Sequence, residues 1–84
     1  MIKPTIHING TSAQNLLDGY CDAAAAVRAA LEKVAENGPN ARDYYVQLPG
    51  AYSEAQREHE KRLADLRRIA VELSEIAEHV AESL

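Results

Sequence analysis

Apolar residues recur at spacings of four and three over two long stretches, and this period constrains the chain more than any other feature. In the first stretch Leu16, Tyr20, Ala23, Val27, Ala30 and Val34 form the row, flanked by Leu17, Ala24 and Leu31. In the second, Leu66, Ile69, Leu73, Ile76 and Val80 repeat as a seam, widened on one side by Leu63, Ala70, Ala77 and Leu84. Spacing of this kind belongs to helices with one apolar face, not to the alternation of a strand. Gly38 and Pro39 break the first stretch, because glycine ends helices readily and proline cannot continue one.

The boundaries follow from local chemistry. Residues 1–10 form an extended arm with a short β-like pattern at Ile6 and Ile8, closed by a turn at Asn9-Gly10. Thr11 suits an N-cap, with Gln14 completing a capping box, so the first helix is expected over residues 11–37. Residues 38–52 form a connector of 15 residues, longer than the roughly 2–8 usual between bundle helices. It holds Tyr44, Tyr45 and Tyr52 and two of the three prolines, so an ordered loop is expected, with Tyr44 or Tyr45 packed across the helix ends. Ser53, with Gln56, reads as the cap of a second helix over residues 53–82. Helices of roughly 39 Å and 45 Å then fold as an antiparallel hairpin.

The fold class is therefore all-α, one helical-hairpin domain over residues 1–84. Phe and Trp are absent and alanine dominates, so a core must come from close-set helices. Each buried Leu or Ile contributes about 1.5–3 kcal/mol, while ordering a chain this short costs about as much in sum. A lone hairpin would leave one side of each stripe wet. Assembly of hairpins into a helical-bundle homo-oligomer, a dimer or higher, is expected.

Composition removes several function classes. No apolar run approaches the roughly 20 residues of a membrane span, and Met1-Ile2-Lys3-Pro4 lacks the apolar core of a secretory signal. One cysteine, Cys21, forms neither an internal disulfide nor a cysteine-based zinc site. A buried, small and inert Cys21 in a reducing cytoplasm is the expectation. Nine Lys and Arg against thirteen Asp and Glu leave a net charge of −4, which disfavours nucleic acid as a partner. Residues 1–71 balance nine against nine, so the whole excess lies in Glu72, Glu75, Glu78 and Glu82. Those four read as a solvated face or as a patch for a basic partner.

Candidate chemistry is sparse. Gly10, Thr11 and Ser12 place backbone N–H groups and hydroxyls at a positive helix end, which suits an anion or serves as a plain capping turn. Arg42, Tyr44 and Tyr45 offer a guanidinium and two rings for a phosphate and a base. The competing reading pairs Arg42 with Asp43 and spreads the tyrosines over the core. Arg57, Lys61, Arg62, Arg67 and Arg68 are interleaved with carboxylates, with Glu58 facing Arg62 and Glu54 facing Arg57 at helical spacing. Extending the seam backwards puts His59 and Arg62 on it, and a charge there needs a partner or a ligand. Glu75, Glu78 and His79 miss the Glu-x-x-His spacing of di-iron bundles. No catalytic constellation, metal site or cofactor is expected, and the chain does not read as an enzyme.

The run Pro4 to Ser12, the run Pro39-Asn40-Ala41-Arg42-Asp43-Tyr44-Tyr45 and the run Glu58-His59-Glu60-Lys61-Arg62-Leu63 resemble a group of small bacteriophage and prophage accessory proteins of unassigned activity. The resemblance implies a phage product acting in the bacterial host cytoplasm. In outline, a compact helical oligomer with Arg/Tyr loops is also similar to the nucleotide sponges with which phages counter cyclic-nucleotide defences. On that basis the expected function is non-catalytic sequestration of a nucleotide signal at protomer interfaces, through Gly10, Thr11, Ser12, Arg42, Tyr44, Tyr45 and Arg62. The alternatives are a module that docks onto a host or phage protein, and a minor virion or packaging component.

Overall fold

Two helices form where the apolar period predicts them. The computed structural model describes all 84 residues, with α1 over Ala13–Glu36, a single 3-10 turn over Ala41–Asp43, and α2 over Ala51–Ala81. The chain is all-helical and has no strand. Residues 1–7 have no regular secondary structure, and the Gly10 N–H donates to the His7 carbonyl (3.0 Å) to close a turn before α1.

The caps differ from the sequence expectation. Ser12, not Thr11, caps α1: its Oγ accepts from the Asn15 N–H at 3.1 Å. Gln14 completes no capping box; its side chain donates forward to Asp18 at 2.8 Å. At the far end the Asn37 side chain donates to the Lys33 carbonyl (2.7 Å), satisfying a carbonyl the helix leaves free.

Helix α2 begins before Ser53. The Ala51 N–H donates to the Leu48 carbonyl (3.1 Å), so Pro49 and Gly50 occupy the centre of a turn, and Gly50 has φ 90°. Proline followed by a left-handed glycine is the chemistry of a type II turn. This turn delivers the chain in helical direction at Ala51, and Ser53 falls inside the helix and caps nothing.

The two helices pack against each other, giving a rod of 61 × 20 × 17 Å. Arg28 Nη1 donates to Ser74 Oγ across the pair at 3.2 Å and marks the stagger. At the closed end the His59 ring lies over Gly38, where a Cβ would stand 3.2 Å from Nε2. Tyr44 packs on Tyr52 with ring centroids 6.1 Å apart, while Tyr45 is 80% exposed. At the open end His79 Nε2 lies 3.0 Å from the Pro4 carbonyl oxygen. A carbonyl only accepts, so Nε2 carries the proton there.

The buried core is narrow: Ala24, Leu63, Ala70, Ala77 and Val80. Apart from Val80 these belong to the flanking rows, not to the main stripes. Alanines at Ala24, Ala70 and Ala77 let the helices close on their small side chains. The larger ones, Leu66, Ile69, Leu73 and Ile76, stay half-buried. Only these five residues are fully enclosed, and the larger apolar side chains beside them stay partly accessible.

Candidate functional site

The residues expected to share a ligand lie at opposite ends of the rod. Gly10, Thr11 and Ser12 precede α1 at the open end, whereas Arg42, Tyr44 and Tyr45 lie in the connector at the closed end. The 24 residues of α1 separate them, a length of about 36 Å. Arg62 stands on α2, about 16 Å along from Ala51, and its side chain is exposed. One chain does not bring the 10–12 turn together with Arg42, Tyr44 and Tyr45.

Each group has its own chemistry. At the open end the Ser12 hydroxyl is committed to the Asn15 N–H and the Gly10 N–H to the His7 carbonyl, so the turn is first a cap. At the closed end the Asn40 side chain accepts from the Arg42 N–H (3.0 Å) and heads the 3-10 turn that carries Arg42 and Asp43. Arg42 forms no ion pair with Asp43 or with any other carboxylate. Of the two adjacent tyrosines, Tyr44 serves packing and Tyr45 faces solvent.

The ion pairs are local. Lys33–Glu36 (3.4 Å), Lys61–Asp65 (3.3 Å), Arg68–Glu72 (3.4 Å) and Arg68–Asp65 (4.0 Å) join neighbours on one helix, as does Arg57 with Glu54. The expected Glu58–Arg62 pair does not form. Arg62 and Arg67 therefore have no carboxylate partner within their own chain, and neither do Glu75, Glu78 and Glu82 a cation. No three His, Cys, Asp or Glu side chains are placed to hold a metal ion. Cys21 is exposed, contrary to its expected burial, because it flanks Ala24 on the rim of the helix contact instead of lying within it.

Two grooves run between the helices. One is rimmed by charge and hydroxyl: Arg28, Arg67, Ser74 and Glu78 over an Ala70 and Leu31 floor. The other lies on the apolar side, where Leu16, Gly19, Tyr20 and Ala23 of α1 meet Leu73 of α2. This second side continues along α2 through Leu66, Ile69 and Ile76. Sequence reasoning missed the apolar ends of the rod. Val46 (77%) and Leu48 (83%) project at the closed end, and Ile2 and Ile8 (both 97%) at the open end. Their signal was the hydrophobic run Tyr45-Val46-Gln47-Leu48 inside a loop, where polar residues are usual.

Neither helix is long and apolar enough to cross a membrane. The arrangement offers contact surfaces along the side and at the ends. Compared with known proteins, the chain matches no family, no curated protein and no solved structure.

Proposed function

We propose that this chain is a non-catalytic binding protein whose hairpin completes its core by assembling into a helical-bundle oligomer, and that it acts through surfaces the assembly creates. The observation that carries this reading is the residual exposure of Leu66, Ile69, Leu73 and Ile76, which the packing of one helix on the other leaves only half-buried. Covering a row of aliphatic side chains contributes about 25 cal/mol per Å² removed from water, a large term for a chain this small. Light scattering on the folded protein at micromolar concentration tests it. A mass above one chain is expected, and a helical monomer of 9.2 kDa refutes it.

A second observation favours a nucleotide as ligand. Arg42 is free of any carboxylate and Tyr45 presents its ring to solvent, so the connector keeps a cation and an aromatic face available. In the setting the phage resemblance implies, the bundle would sequester a nucleotide signal in the bacterial cytoplasm, with the 10–12 turn, Arg42, Tyr44, Tyr45 and Arg62 contributed from more than one copy. Thermal-shift screening against cyclic di- and trinucleotides tests this. A ligand at 100 times its dissociation constant adds about 2.7 kcal/mol, a rise of roughly 10 °C or more for a domain of this size. Absence of any shift across the panel refutes sequestration and leaves the bundle standing.

A further inference from the structure

We infer that the occupant of the open apolar side is a second copy of this chain, related by a two-fold axis perpendicular to the rod, so that α2 runs antiparallel to the partner's α2 and each closed end meets the partner's open end. This inference rests on the self-assembly proposed above and adds its partner number, face and direction.

Area comes first. A compact monomer of 9.2 kDa exposes about 4,900 Å², whereas this hairpin exposes 6157 Å². Its radius of gyration is 18.5 Å, against about 12 Å for a compact domain of this length. The excess surface, about 1,200 Å², exceeds the roughly 800 Å² that each partner contributes to a standard stable interface. One partner in an interface of standard size removes about two thirds of it.

Charge then selects the direction. Residues 13–27 and 69–84, the helical part of the open end, hold six carboxylates (Asp18, Asp22, Glu72, Glu75, Glu78 and Glu82) and no Lys or Arg. Residues 28–68 hold eight Lys and Arg against seven Asp and Glu. Stacking two hairpins with their open ends together would gather twelve carboxylates at one end of the bundle with no helical cation among them. The antiparallel stack instead faces each acidic end with the half that carries Arg62, unpaired within its own chain. Like charges side by side are costly to an interface, and complementary ones fix its register.

The exposed apolar ends agree with that direction. Tyr45, Val46 and Leu48 at the closed end and Ile2 and Ile8 at the open end are wet in one chain. The antiparallel stack sets the first group against the second group of the partner, twice, by symmetry. The stagger marked by Arg28 and Ser74 puts the middle of the rod near Ala70. A two-fold there lays Ile69 opposite the partner's Leu73 and Leu66 opposite the partner's Ile76. On α1, Gly19 and Ala23 line the same side, and a Cβ at Gly19 would meet nothing of its own chain within 4 Å, so the partner approaches closely. The arrangement also brings the 10–12 turn of one copy towards the partner's Arg42 and Tyr45, which one chain holds at opposite ends.

Spin labels at Gln47→Cys, in a Cys21→Ser background, measure the direction by pulsed electron resonance. The expected result is twice the chain mass with a loop-to-loop distance of roughly 50 Å or more, since the rod is 61 Å long. In the same series Ile69→Asp weakens the dimer by about 100-fold or more. Val71→Asp, on the opposite groove and already 55% exposed, leaves it unchanged. A dimer with loops within roughly 30 Å of each other, a mass above two chains, or a folded Ile69→Asp protein that dimerises like the parent overturns the inference. All three of those results leave self-assembly intact, whereas a folded monomer overturns both. Because the distance is read on the unaltered helix face, failure of Ile69→Asp to fold does not rescue the inference.

Discussion

Val80→Ala tests whether the open end is packed as described. Val80 exposes none of its surface, the only fully buried side chain larger than alanine in a core of five residues. The substitution deletes two methyl groups, worth about 0.8 kcal/mol each in transfer from water. An uncollapsed cavity the size of those methyls adds about 1 kcal/mol at 24 cal/mol per Å³. The expected loss is about 2.6 kcal/mol, or roughly 10–20 °C in Tm for a chain of this length. Far-UV circular dichroism melts read it, at matched protein concentration because assembly makes Tm concentration-dependent. Val71→Ala, at a site 55% exposed, is the control and should stay within about 0.5 kcal/mol of the parent. Val80 adjoins His79, whose ring meets the Pro4 carbonyl. Deleting residues 1–8 should therefore remove part of the same packing, and Val80→Ala should cost less in the truncated chain than in the whole one. A Val80→Ala protein that melts with the control, or equal losses with and without the arm, would show that the arm and the helix pair do not close on this residue.

Three further substitutions probe the caps and the open face. Gly50→Ala forces a side chain into φ 90° and should cost about 1–2 kcal/mol in urea titrations, whereas Gly50→Asn should lose less. Ser12→Ala should cost about 1 kcal/mol by removing the acceptor for the Asn15 N–H, and Thr11→Ala should stay within about 0.5 kcal/mol; equal losses would return the cap to Thr11. Gly19→Ala meets nothing within 4 Å in the hairpin and should stabilise the dilute chain by about 0.8–1 kcal/mol through helix propensity. The same variant should dimerise more weakly than the parent, and unchanged dimerisation would move the interface away from Gly19.

The helices were legible because a period of three and four leaves little choice, and the break at Gly38-Pro39 forces the chain to return. Their stagger and their buried line were not legible. Apolar arcs at Leu66–Leu73 and Ala70–Ala77 are adjacent on one helix, and periodicity weighs both alike. The buried line runs through Ala24, Leu63, Ala70, Ala77 and Val80, and the larger Leu66, Ile69, Leu73 and Ile76 stay half-buried beside it. Cys21 illustrates the same point, since a position one turn before Ala24 falls outside a contact this narrow. The start of α2 was misread for a chemical reason, because a Ser-x-x-Gln pattern at residues 53–56 mimics a cap already supplied by Pro49 and Gly50.

For the candidate site, residue types were legible and their meeting was not. Arg42, Tyr44 and Tyr45 announce a cation and two rings by residue type alone, with either tyrosine expected to pack across the helix ends; Tyr44 packs on Tyr52, and Arg42 and Tyr45 stay available. Their distance from the 10–12 turn is set by the rise of α1, about 1.5 Å per residue, which no side-chain adjustment shortens. Any ligand that touches both ends must therefore touch two chains, or else be as long as the helix. A small anion bound by one monomer would use one end only, so mutation of the other end would not affect it. The dependence of binding on both ends, measured with Arg42→Ala and Ser12→Ala separately, therefore reports on assembly as directly as it reports on the ligand.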